Sequence, residues 1–166
     1  MTICGAVFNL LMYFLGFQTD KMATGQYLNW LGLIISIVIL WLGIKAVREE
    51  TPDKSLTYGQ GVGAGTLISL YSGLMSAVYS YIHFKFINPA FFDYQAEMLR
   101  AQWAAKGMSD AQIEQAEAMT RKFSGPIASA IFTPIIVVII GVLISLVLAA
   151  ILKRAAAKDG GAPAAA

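Results

Sequence analysis

The sequence predicts an all-α membrane protein, with four transmembrane helices and an amphipathic two-helix hairpin between the third and fourth. Three observations carry that expectation. The chain of 166 residues is 57% hydrophobic and only 13% charged, about half the charged share of a soluble domain. Its charges keep out of the interiors of four apolar windows, 2–17, 27–46, 58–87 and 126–152. Between the last two windows, residues 89–122 set apolar side chains at helical spacing among charged ones, the pattern of helices that lie on a surface. A single membrane domain, 1–154, accounts for nearly the whole chain, and the Ala-, Gly- and Pro-rich tail 155–166 should be disordered.

The first window is the shortest. About 16 residues make about 24 Å of helix, against a hydrocarbon thickness of about 30 Å, so this span must thin the bilayer or begin at its edge. It has no basic start and no small-residue cleavage site, and should be retained rather than removed as a signal peptide. Gln18 to Gln26 reads as a polar turn. The second span carries Trp30 and Trp41 near its ends, where interfacial indoles belong, and exits at Lys45 and Arg48. Gly32, Ser36 and Gly43 share one side of it, within roughly 40°.

The third span holds the strongest pattern. At 100° per residue, Gly65, Ser69, Gly73, Ser76 and Ser80 fall within roughly 80° of one another, and Leu67, Tyr71, Leu74, Val78 and Ile82 take the opposite side. Lipid tails are as apolar as leucine, so helices in a bilayer associate by close backbone approach, which small residues permit. A close crossing of the second and third spans is expected, Gly32, Ser36 and Gly43 against Gly65, Ser69 and Gly73. The alternating glycines 59, 61, 63 and 65 lack both the preceding strand of a dinucleotide fingerprint and the Lys-Ser/Thr of a P-loop. They read as packing glycines.

Asn88 is expected to cap the next helix, with Pro89 at its first position and Phe92, Ala96, Leu99 and Trp103 as its apolar stripe. Gly107 is the expected stop. Ser109 to Gln112 is a capping-box pattern opening a second helix to about Lys122, with Glu117 and Arg121 as a surface pair. The fourth span opens at Gly125-Pro126, should kink at Thr133-Pro134, and repeats Gly141, Ser145 and Ala149 at every fourth residue before Lys153-Arg154.

The net charge of +2 is dispersed, with no basic run of the kind that binds nucleic acid. Lys45, Arg48, Lys54, Lys153, Arg154 and Lys158 flank the side of the termini, whereas the basic residues of the other side are mixed with acids in the hairpin. The positive-inside bias then puts both termini in the cytoplasm.

Residues 55–60 (Ser-Leu-Thr-Tyr-Gly-Gln), the small-residue third span, the stretch Tyr81 to Pro89 and the link Gly107 to Glu114 resemble one bacterial family. It is the set of small inner-membrane proteins known as domain of unknown function forty-one ninety-nine. The resemblance runs from about residue 4 to residue 154. It implies a four-span protein of the bacterial inner membrane, and it transfers no catalytic residue and no ligand.

The residues themselves point away from catalysis. With one His and one Cys in the chain, no metal set, cofactor site or catalytic residue is expected. His83 has no acid beside it in a span to complete a triad. Spans two to four place no ionisable group at mid-depth, the usual mark of ion coupling, since Lys45, Lys85 and Lys153 are terminal and can snorkel. Tyr58 and Gln60 sit about 37 Å along the helix from His83 and Lys85, too far for one site. His83 and Lys85 are candidates for an anionic lipid head group, and Phe92, Leu99 and Trp103 for contact with lipid or a partner. The expected function is a non-enzymatic scaffold or accessory subunit, held in the lipid bilayer and assembling with itself or another membrane protein. Its rival is a small transporter or lipid-handling protein working as an oligomer. A scaffold should show a closed helix seam, and a transporter a cavity lined by Tyr58, Gln60 or His83.

Overall fold

The computed structural model describes residues 1–154, and the expectation for the 155–166 tail lies outside them. The described chain is helical: α1 (Thr2–Phe14), α2 (Met22–Glu50), α3 (Tyr58–Ile82), a π turn (His83–Ile87), α4 (Phe91–Ala105), α5 (Asp110–Lys122) and α6 (Pro126–Leu152). Among the described residues extended backbone pairs at one place. Leu56 and Arg154 exchange two N–H···O bonds of 2.9 Å, which tie the α2–α3 loop to the end of α6. Three helices are long and apolar enough to cross a bilayer: α2, α3 with its π continuation to Ile87, and α6.

The expected span 2–17 is helical only to Phe14, 13 residues, about 20 Å. It stops where Gly16 turns left-handed at φ 81°, a conformation that costs glycine least. The Gly16 and Phe17 amides then reach back to the carbonyls of Tyr13 and Met12 at 2.9 and 2.8 Å, the double closure of a Schellman end. The short helix lies along the second half of α3. Its Thr2 hydroxyl donates to the Ser72 carbonyl at 3.2 Å, and its Ala6 carbonyl meets the Tyr79 hydroxyl at 3.1 Å. The second span, expected at 27–46, extends as helix to 22–50, because a helix continues through polar residues after its apolar stretch has ended. The fourth occupies its expected range, opened by Pro126 at the first position.

The main seam is α3 against α6, and the expected crossing of α2 and α3 through small faces is corrected. The two helices meet antiparallel, with a missing side chain on one facing a small one on the other. A Cβ at Gly61 would fall 2.8 Å from that of Ala149; a Cβ at Gly65 would run into the Ser145 side chain, and one at Gly141 into Ser69. At Gly73 it would press on the Pro134 carbonyl at 3.1 Å. Ser69 and Ser145 are fully buried, and each donates back along its own helix, to the Gly65 and Gly141 carbonyls at 2.8 and 2.6 Å. These glycines admit the hydroxyl of the opposite helix, so neither serine leaves a polar atom facing lipid.

The small residues of α2 do other work. Gly32 faces the Phe8 ring of α1 and Gly43 the Ile68 side chain of α3, while the Ser36 hydroxyl bonds the Gly32 carbonyl at 2.9 Å. Instead α2 lays Leu40 and Ile44, both fully buried, over the seam with Leu56, Leu148 and Leu152. Of the remaining expected packing residues, Ser80 is buried with its hydroxyl on the Ala77 carbonyl at 3.1 Å, and Ser76 lines a cavity described below.

The hairpin forms, with two corrections. First, α4 begins at Phe91 rather than Pro89, because the Asn88 side chain is drawn into a long-range contact and is not available as a cap. Second, the Glu117 carboxylate lies 3.8 Å from Arg100 across the hairpin, so its partner is on α4 and not the nearby Arg121. Gly107 has φ 78°, and the Met108 and Gly107 amides close onto Trp103 and Ala104. Ser109 and Gln112 form the reciprocal capping box. A Cβ at Gly107 would touch nothing, so Gly107→Ala tests the backbone alone. Thermal unfolding of the purified protein should show a loss of about 1–2 kcal/mol, the cost of a left-handed residue with a side chain. Gly107→Asn should lose less.

Candidate functional site

The densest polar cluster in the described chain forms where the end of α3, the end of α1 and the 15–21 turn converge. After Ile82 the α3 helix widens into the π turn, closed by the Asn88 amide on the His83 carbonyl at 2.7 Å. Single π turns recur at functional positions because the extra residue re-aims its neighbours. Here His83 is fully buried and Asn88 is 2% exposed. Aromatic rings enclose the imidazole: Tyr13 and Phe84 edge-on at 6.1 and 5.1 Å, and Tyr79 tilted at 5.4 Å.

Gln18, 8% exposed, bridges the cluster from the turn. Its Nε2 donates to the Asn9 carbonyl at 3.2 Å and to Asn9 Oδ1 at 2.7 Å. A main-chain carbonyl can only accept, so that contact fixes which end of the Gln18 amide is NH₂. The other end, Oε1, lies 2.9 Å from His83 Nε2 and 3.5 Å from Asn88 Nδ2. His83 Nε2 therefore carries a proton. On the far side of the ring, Nδ1 lies 3.1 Å from the Tyr79 hydroxyl. Gly25 of α2 makes room for the turn, since a Cβ there would collide with the Phe17 carbonyl. In the same turn the Thr19 hydroxyl donates to Asp20 at 2.7 Å and holds that exposed carboxyl below its ordinary range.

Beside His83 lies a half-open cavity of about 230 Å³ between α1, α3 and α6, lined by Thr2, Asn9, Ser76, Tyr79, His83 and Thr133 among others. It starts where the tight seam ends at Gly73 and Pro134. Two further hollows involve the hairpin. One of about 190 Å³ between α4 and α5 includes Phe92, Leu99, Trp103, Glu117 and Arg121, and one of about 550 Å³ separates the 19–23 turn from α4.

The other expected site residues are apart from this cluster. Lys85 is exposed, its Nζ 2.7 Å from the Tyr81 hydroxyl and over the Tyr81 and Phe86 rings. His83 points inward and Lys85 outward, so they do not combine into one head-group site. Gln60 is engaged with Thr57 in a capping box at the start of α3, and Tyr58 is exposed. Among the described residues no three His, Cys, Asp or Glu side chains converge as metal ligands do. The partnership of Gln18 and Asn88 with His83 had a faint signal in the sequence: three uncharged polar side chains with hydrogen-bonding capacity at the ends of apolar windows.

No curated protein and no solved structure matches this chain. Over residues 1–154, the whole of the helical assembly, it matches the family described as "Protein of unknown function (DUF4199)", and the chain belongs to that family.

Proposed function

We propose that this is a non-enzymatic integral protein of the bacterial inner membrane, a scaffold or accessory subunit that assembles with another copy or another membrane protein. In this reading α2, α3 and α6 cross the bilayer, α1 is a partial fourth crossing packed along the second half of α3, and the α2–α3 loop and the end of α6 lie on the cytoplasmic side. The observation that supports it best is the α3–α6 seam. Backbones in near contact from Gly61 and Ala149 to Gly73 and Pro134 leave no solute path between those helices over that stretch. The hairpin adds a candidate docking element, with Phe92, Leu99 and Trp103 in the α4–α5 hollow. Purification in mild detergent, followed by mass spectrometry of co-purifying proteins and lipids, tests the assignment. A stoichiometric protein partner or a stable homo-oligomer is expected, and a lone monomer would count against it.

A second reading, a small transporter or lipid-handling protein acting as an oligomer, draws support from the His83-lined cavity. Flux measured in proteoliposomes separates the two. The scaffold reading expects none at any loading, and solute or proton flux at several copies per vesicle, where oligomers can form, would replace it.

Trp103→Ala distinguishes the roles open to the hairpin. Trp103 is half-buried between α4 and α5. As an anchor for lipid or a partner, its loss should leave thermal stability in detergent nearly unchanged and weaken membrane or partner association, with Trp30 and Trp41 intact. A large loss of stability in the isolated protein would instead make the hairpin part of the core.

A further inference from the structure

We propose that the cavity between α1, α3 and α6 is a water-filled inlet to a reversible proton-binding site at His83. Two independent observations support this. The first is the lining. Among the described residues Asn9 Nδ2, Ser76 Oγ and Thr133 Oγ1 have no hydrogen-bond partner in the chain, and none of them is sealed off: Arg48 Nε is the one buried side-chain polar atom left unpaired. Polar groups at membrane depth demand hydrogen bonds, and a polar hollow of about 230 Å³ has room for water to supply them.

The second is that the hydrogen bonds around His83 are complete in either charge state without moving a heavy atom. Gln18 Oε1 holds the Nε2 proton in both. In the neutral ring, Nδ1 accepts the Tyr79 O–H at 3.1 Å. When cavity water hands a proton to the Tyr79 oxygen and the original Tyr79 proton passes to Nδ1, the new ring N–H donates to that oxygen, and the proton now on Tyr79 points to the Ala6 carbonyl, also at 3.1 Å. One proton enters, one positive charge appears on the ring, and no bond is left with two donors or two acceptors. The charged state joins α1 to α3 through Tyr79.

No charged side chain takes part. Helix α1 carries none, α6 carries none between Pro126 and Leu152, and Asp20 and Lys21 of the turn, Lys85 of the π turn and Asp93 of α4 are all exposed. The titratable neighbours are Tyr13 and Tyr79, with Cys4 exposed on α1.

His83 is the only histidine in the chain, so its ring nitrogens can be read without ambiguity. The full chain, purified on a tag without histidine, labelled with ¹⁵N-histidine and placed in phosphatidylcholine nanodiscs, should show the Nε2–H tautomer at alkaline pH. Acidification should bring a single one-proton step to two N–H groups while the fold is retained. The volume-conserving pair Ser76→Ala and Thr133→Val should slow deuterium exchange at the ring at least about tenfold, a loss on the scale of one good hydrogen-bonded step. An Nδ1–H tautomer at alkaline pH, a ring that stays neutral until the protein unfolds, or exchange unchanged in the double variant would each overturn the proposal.

Discussion

Gly65→Leu should be the most damaging single substitution in the described chain. At this position even a Cβ runs into the Ser145 side chain and comes within 3.2 Å of Ile44 Cδ1, so the added side chain has α6 on one side and α2 on the other. Overpacking a tight core costs about 1–3 kcal/mol where neighbours can shift, and here the obstacle on the α6 side sits close to its backbone. A loss at or above the top of that range is expected, measured by thermal unfolding in detergent and by folded yield. Yield and stability equal to those of the unaltered protein would remove the seam from the account. A sharper test exchanges the two partners. Gly65→Ser alone should be destabilising, and adding Ser145→Gly should recover much of the loss, with a coupling of about 0.5–3 kcal/mol as for residues in direct contact.

Gln18→Met should cost about 2–4 kcal/mol, although Gln18 belongs to no helix. The substitution keeps the length of the side chain and removes both polar ends. His83 Nε2–H and Asn88 Nδ2 then lose their shared acceptor, and the Asn9 carbonyl and side chain lose their donor. A buried polar group left without a partner costs about 1–3 kcal/mol, and members of one network do not fail independently. Gln115→Met, exposed on α5, serves as the control and should be silent. If Gln18→Met unfolded at the same temperature as that control, the cluster would not hold α1, the 15–21 turn and the π turn together.

These two positions mark how far the sequence could be read. The helices were legible because apolar windows and start signals such as Pro126 and Ser109 act within a few residues. The small-residue edge of α3 was legible as an edge, since Gly65, Ser69 and Gly73 repeat at helical spacing. Its partner was not, because α2 and α6 both carry small residues at suitable intervals. What decides between them is pairing level by level, glycine against serine or alanine, and periodicity on one helix does not contain that information. Asn88 illustrates a different limit. Asn before Pro is a strong local cap signal, yet Gln18, 70 positions away in the chain, claims the Asn88 side-chain amide through both its main-chain carbonyl and its Oε1. The π turn leaves no trace in an apolar pattern, and Gln18 looked like any polar residue in a turn.

The alternation along the α3–α6 seam also constrains motion. In the observed alignment Gly61, Gly65 and Gly141 are each opposed by an alanine or a serine, and Gly73 by Pro134 and Val138. Slide α6 by one turn, about 5.4 Å, and Ser69 would confront Ser145 while Gly73 came level with Gly141, a clash beside a void. Slide it the other way and Gly65 would face Gly141, with Ser69 set against Val137. No neighbouring register fits, so the two long helices form a keyed pair that resists piston-like displacement and travels as one rigid post. Any conformational change in this protein must therefore be carried by the parts that lean on that post: the short α1, the outer face of α2 and the hairpin.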